Sequence, residues 1–185
     1  MVKPFDSFNS ENGQRANGRG ARRERNPQAA DPALSELRVP PHSIEAEQSV
    51  LGGLLLDNAA FDKIADVMSE GDFYRDEHKR IYRQIRKLLE RGKPADAVTV
   101  AESLDQAGEG KDTGGLAYLG ELAANTPSAA NIRRYAEIVR ERAILRQLVT
   151  AGDEIAGSAL NPLGRDPKTL LDEAEAKVFA IAESG

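Results

Sequence analysis

The run Gly108-Glu109-Gly110-Lys111-Asp112-Thr113 is where residue types suggest chemistry, since glycines beside a lysine can cradle a phosphate on backbone N–H groups. The spacing argues against it. A phosphate loop would need glycine at position 105, where Asp105 stands. It would also need Ser or Thr after Lys111, where Asp112 would repel the phosphate instead of helping to hold magnesium. The run reads as a turn. His42 and His78 are the only histidines and share no metal-ligand spacing, and the absence of cysteine removes disulfides, thiolate nucleophiles and cysteine-ligated metals. No spacing singles out a carboxylate pair in an apolar pocket, as an acid catalyst with a raised pKa would require. The expected catalytic, cofactor-binding and metal-binding residues are therefore none, and His78 reads as a residue at the edge of a core.

Charge offers a second kind of chemistry. The 185 residues carry a formal net charge of −5, but residues 1–41 hold seven Lys/Arg against five Asp/Glu, a net of +2, which leaves −7 on the remainder. Residues 1–38, rich in Asn, Gly, Arg, Pro, Gln and Ser, read as a disordered basic tail without enough apolar surface to offset the entropy of ordering. Its arginines (Arg15, Arg19, Arg22, Arg23, Arg25) either touch phosphates without base specificity or are simply solvated. Glu24, Asp31 and the lack of an interleaved aromatic favour the second reading. A further basic face, Lys79, Arg83, Arg86 and Lys87 with Glu90, reads as a solvated helix surface rather than a nucleic-acid site. No apolar run approaches the roughly 20 residues that span a bilayer, nor does the N-terminus look like a secretion signal, so a soluble cytoplasmic protein with no membrane partner is expected.

The elements that would position these residues are helical. A composition of 40% hydrophobic, 5% aromatic and 30% charged residues predicts an all-α fold. The expected architecture is a compact multi-helix orthogonal bundle over 39–127, followed by a long helical hairpin over 128–185. Ser43 caps a first helix with Glu45 and Glu47 in its first turn and a stripe of Ile44, Val50, Leu51, Leu54 and Leu55, with Gly52-Gly53 suggesting close backbone packing. A second short helix is expected after Asp57-Asn58, carrying Phe61, Ile64, Ala65 and Met68. A third carries His78, Ile81, Tyr82, Ile85, Leu88 and Leu89 and ends at Gly92. Thr99 and Glu102 suggest a capping box opening a fourth, and Leu116, Leu119 and Leu122 mark a fifth that stops before Thr126-Pro127.

From Ser128 to about Leu160 no proline interrupts a helical pattern, and at 100° per residue the apolar stripe changes sides. Ile132, Tyr135, Ala136, Val139 and Ala143 share one face, whereas Leu145, Leu148, Val149, Ile155 and Ala156 centre nearly half a turn away. Asn161-Pro162-Leu163-Gly164 supplies a turn, Asp166-Pro167 a cap and first-turn proline, and Leu171, Ala174, Val178 and Ile181 a second stripe. A two-helix hairpin has little interior, so its outer apolar residues predict association with other copies or another protein; folding back onto the bundle is the alternative.

The stretch from Val39-Pro40-Pro41-His42-Ser43-Ile44 through Gly52-Gly53-Leu54 resembles the opening of the N-terminal domain of DnaB-type bacterial replicative helicases. Asp72-Phe73-Tyr74, Ala101-Glu102-Ser103-Leu104, Gly115-Leu116-Ala117-Tyr118-Leu119, Asn125-Thr126-Pro127-Ser128 and Ile138-Val139-Arg140-Glu141-Arg142-Ala143 are similar to that family in order and spacing. The resemblance implies a bundle and hairpin that assemble, as dimers and a trimer of dimers, into a hexameric collar above a RecA-like motor ring. In that family the motor unwinds DNA 5′ to 3′ around a single strand with ATP and Mg²⁺, the collar docks the primase C-terminal domain, and the helicase loader acts mainly on the motor. This chain stops before the linker and any motor motif, so it is expected to be non-catalytic alone. On this view Leu145, Leu148, Ile155, Val178 and Ile181 join neighbouring subunits, while the Ile138–Arg142 stretch, with exposed charges at Arg140, Glu141 and Arg142, biases which neighbour or partner docks. A free-standing helical nucleic-acid-binding protein is the alternative.

Overall fold

The computed structural model describes residues 39–184, and the expected basic tail lies outside them. The described chain forms α1 (Ile44–Leu56), α2 (Asp76–Glu90), α3 (Ala97–Gln106), α4 (Gly115–Asn125), α5 (Ile132–Leu160) and α6 (Pro167–Ser184). Short 3₁₀ turns lie at Asn58–Lys63, Glu70–Asp72 and Lys111–Thr113, and no strand occurs among the described residues. This is the all-helical fold anticipated from composition. Among the described residues no helix is long and apolar enough to cross a membrane.

Local chemistry sets most helix ends. The Ser43 hydroxyl accepts the N–H of Ala46 (3.3 Å) and opens α1. Gly92 closes α2 in the left-handed region (φ 67°), with its N–H donating to Leu89 O (2.9 Å) and the N–H of Lys93 to Leu88 O (2.9 Å). That pair of bonds satisfies carbonyls the helix would otherwise leave orphaned. Helix α1 runs through the middle of the bundle, packing on α2, α4 and α5. Its Val50, Leu51 and Leu54 meet a core that includes Ile81, Tyr82, Ile85, Leu104, Leu119, Ile132 and Val139, all buried.

Two expectations are corrected. The segment after Asp57 is not an α-helix but a 3₁₀ turn followed by further turns, although Ile64 and Met68 are buried as expected. The Asn58 amide explains the change. It donates to Leu54 O (2.8 Å) and Ala95 O (3.0 Å) and accepts the N–H of Ala95 (3.0 Å), tying this segment to the lead-in of α3. Helix α3 also begins three residues before the expected box. Asp96 accepts the N–H groups of Val98 (3.0 Å) and Thr99 (2.8 Å), and Thr99 Oγ1 accepts the N–H of Asp96 (2.9 Å). A carboxylate accepting two amides satisfies this helix start without Glu102.

The expected close approach occurs at Gly52. A Cβ there would lie 2.1 Å from Thr126 Oγ1 and 2.3 Å from the carbonyl oxygen of Leu122, while an added Cβ at Gly120 meets nothing within 4 Å. Gly52→Ala is therefore expected to lower stability by about 1–3 kcal/mol through overpacking, although alanine is the better helix former. Gly120→Ala should raise stability by about 0.5–1 kcal/mol. Urea unfolding of both variants checks the contrast. Asp96→Ala should cost about 1 kcal/mol near neutral pH. The two amide donors hold the Asp96 carboxyl below its ordinary pKa. Its stabilisation is thus complete above the unfolded-state pKa and fades as pH falls towards the folded one, so the gap between the parent chain and Asp96→Ala should close in acid titrations followed by circular dichroism.

Candidate functional site

A polar chain crosses the bundle interior with the residue types of an acid–base site. His78 Nδ1 donates to Glu47 Oε2 (2.6 Å), and His78 Nε2 accepts the hydroxyl hydrogen of Tyr118 (2.7 Å). Gln48 donates to the Tyr118 oxygen (3.2 Å). Glu47 Oε1 accepts the N–H of Tyr74 (2.6 Å). This tautomer gives each donor an acceptor. Glu47 and His78 are both fully buried and bonded to each other, so they hold α1, α2, α4 and the Phe73–Arg75 segment together. His78 is therefore a centre of the core and not its edge, and Glu47 serves the interior as well as the helix start.

The turn before α2 forms a second polar seat. Asp72 is 2% exposed. Its Oδ2 accepts the N–H of Ser69 (2.7 Å) and its Oδ1 a hydrogen bond from Arg140 of α5 (2.7 Å). Arg140 is thus not a free surface charge, as expected from sequence, but a partly buried anchor of the long helix. Arg146, not singled out in the sequence, donates to Pro41 O (2.7 Å) and to Asp72 O, and lies 5.6 Å from the Tyr74 ring centroid. His42 stacks on the same ring at 4.5 Å.

Beyond this seat the hairpin projects its apolar residues. On α5 the expected first-half stripe places Ile132, Ala136, Val139 and Ala143 in the interior, with Tyr135 half-buried against the core. Leu145 (41%), Leu148 (45%) and Val149 are exposed. Ile155 separates from them: it is half-buried and turned towards α6, lining a groove of about 590 Å³ with Ser158, Ala159, Leu170 and Ala174. On α6, Ile181 is half-buried beside Ala180 and Lys177, whereas Leu171, Val178 (50%) and Phe179 are exposed. Ile138 is half-buried against the bundle core. Glu141 and Arg142 are exposed, Glu141 accepting from Arg134 (3.3 Å). Asp166 accepts the N–H of Thr169 (2.7 Å) at the start of α6, and Arg165 pairs with Glu173 (2.6 Å) beside the turn. The nine sequence-selected residues therefore divide into an outward row (Glu141, Arg142, Leu145, Leu148, Val178), two residues of the inter-helix seam (Ile155, Ile181) and two docked on the bundle (Ile138, Arg140).

The three arginines of α2 are paired with carboxylates, whereas Lys79 and Lys87 of the expected basic face make no ion pair among the described residues. Arg83 pairs with Glu70 (2.8 Å) and Glu109 (3.2 Å), Arg80 with Asp76 (2.7 Å) and Asp112 (3.2 Å), and Arg86 with Glu90 (3.4 Å). The glycine-containing run at 108–113 supplies two of these carboxylates, which turn towards arginines instead of framing a phosphate. Among the described residues no three His, Asp or Glu side chains gather as a metal site would require.

A family model described as the DnaB-like helicase N terminal domain matches residues 39–141. The chain is 46% identical over 155 residues to the replicative DNA helicase DnaB of Haemophilus influenzae, covering 84% of this chain and 33% of that protein. It is 47% identical over 160 residues to the DnaB of Pasteurella multocida, covering 86% and 34%. It therefore spans only a minor part of these relatives' length. The crystal structure of the N-terminal domain of DnaB helicase from Mycobacterium tuberculosis superposes with a TM-score of 0.74 at 43% identity, covering 77% of this chain and 99% of that one. The N-terminal domain of DnaB helicase from Helicobacter pylori, described together with its interactions with primase, shares the fold with a TM-score of 0.54 at 22% identity, covering 71% and 100%. A helical bundle with an outward apolar hairpin and this degree of likeness lead to one conclusion: the chain belongs to the DnaB-like helicase N-terminal domain family.

Proposed function

We propose that this chain is the assembly and primase-docking collar of a hexameric replicative DNA helicase. The observation that carries the reading is the outward apolar row on both hairpin helices, Leu145, Leu148 and Val149 on α5 with Leu171, Val178 and Phe179 on α6. Exposed apolar surface of this extent on neighbouring helices favours burial against another polypeptide. A second copy fits, because the same row on each partner can make a self-complementary contact that closes as a two-fold dimer, and a trimer of such dimers would form a ring through a second, different contact between dimers. Exposed charges at Glu141 and Arg142 beside the row would select between a neighbour and the primase C-terminal domain.

The rest of the reading concerns the whole helicase. Its motor would use ATP and Mg²⁺, encircle single-stranded DNA, receive the loader and unwind the duplex 5′ to 3′ in the cytoplasm. The residues described here would contribute geometry to that task and none of its chemistry. The neutralised arginines of α2 and the net negative charge after residue 41 weigh against the nucleic-acid-binding alternative.

Leu148→Asp combined with Val178→Asp is expected to weaken self-association at least about a hundredfold, because each buried aspartate would lack a partner. Both positions are exposed in the isolated chain, so its circular dichroism should stay that of a folded helical protein, while any part of the melting temperature that association supports should be lost. Sedimentation velocity reads the outcome, and an unchanged oligomer would remove the proposal's basis. In titrations the chain should bind the isolated primase C-terminal domain and bind single-stranded oligonucleotides poorly. Tight DNA binding with a steep salt dependence would instead support the alternative.

A further inference from the structure

Arg146 sits where the long helix leaves the bundle and reaches three things at once. Its guanidinium donates to Pro41 O in the segment leading into α1 and to Asp72 O in the turn before α2, and it lies against the Tyr74 ring. The other side of this cluster is held by His42, which stacks on Tyr74 with its ring plane 11° away and whose Nδ1 lies 2.7 Å from Pro40 O. Next to Arg146 lies a hollow of about 490 Å³ lined by Gly71 of the turn, Ala143 and Ala151 of α5, and Ala180 and Ile181 of α6. The hollow, which Gln147, Glu154 and Lys177 also line, leaves space between the Gly71 turn and α6, whereas Arg140 on Asp72 fixes the helix six residues earlier.

We infer that Arg146 is a latch coupling the position of the Pro40–Ser43 segment to the angle at which the α5–α6 hairpin leaves the bundle. Charge-assisted bonds to two carbonyls from separate segments, strengthened by the aromatic face, tie both to one guanidinium. Coupling of this kind is reciprocal: loosening the lead-in segment must free the hairpin, and freeing the hairpin must loosen the segment. The inference concerns the single chain and stands whether or not the hairpin assembles.

The cysteine-free sequence permits a direct test in the full chain. Spin labels at Lys87→Cys on α2 and Asp172→Cys on α6, both exposed, report the bundle-to-hairpin distance when labelled chains are diluted with unlabelled ones. The parent should give one narrow distance distribution. Arg146→Ala should raise the share of displaced hairpins about tenfold, as expected for losing hydrogen bonds from a charged group. His42→Ala, whose ring stack on Tyr74 and bond to Pro40 O involve neither hairpin helix, should broaden the same distribution. Arg142→Ala, an exposed neighbour, should leave it narrow, and all three should keep the bundle's melting temperature. Narrow distributions in both Arg146→Ala and His42→Ala would overturn the latch. Broadening in Arg146→Ala alone would overturn the coupling, and if Arg146→Ala fails to fold, the His42→Ala distance decides the matter by itself.

Discussion

The structure depends on one helix having to satisfy two surroundings. At 29 residues, α5 extends about 43 Å, farther than the small bundle beside it can cover. Its first half places Ile132, Ala136, Val139 and Ala143 in the core, so the bundle needs this helix to complete its interior. Past Ala143 the apolar residues turn elsewhere, and α6 returns to cover only the side that carries Ala151 and Ile155. Two helices cannot enclose all their sides. The exposed row follows from this geometry.

Buried charge supplies the rigidity with which the hairpin is presented. A carboxylate removed from water is tolerable only when its oxygens are occupied, and both buried acids obey this rule. Glu47 accepts from His78 and the backbone at Tyr74, and Asp72 accepts from Ser69 and Arg140. Between them they fix the segment from Ser69 to Arg75. The same segment receives Arg146, so the interior of the bundle and the seat of the hairpin share one stretch of backbone. A polar chain that resembles catalytic machinery by residue type thus works as a frame.

On the proposed reading, this domain works through surfaces and angles. The glycine-containing run at 108–113 illustrates the point, since its Glu109 and Asp112 neutralise Arg83 and Arg80 on α2. That pairing takes up the arginines of the face and leaves its positive charge to Lys79 and Lys87. The apolar row of the hairpin then stands out as the feature without a role inside the single chain.

Local physics made much of this legible in the sequence. The Ser43 cap, the left-handed Gly92, the Asp166-Pro167 start and the buried stripe in the first half of α5 depend on residues within a turn or two of one another, and each is found as expected. Glu47 even left a signal, because it falls three and four residues before the buried Val50 and Leu51, and a charge on such a stripe must find a partner. Which partner it finds is a long-range matter. His78 lies 31 residues away, and Asp72 and Arg140 are separated by 68, distances at which periodicity carries no information. For the same reason the 3₁₀ path after Asp57 depended on Asn58 meeting Ala95, and the inward turn of Ile155 on where α6 came to rest. Helical identity and amphipathic direction are properties of neighbouring residues. The choice of which face meets which segment was made only by tertiary packing, because side chains far apart in sequence must share one finite interior.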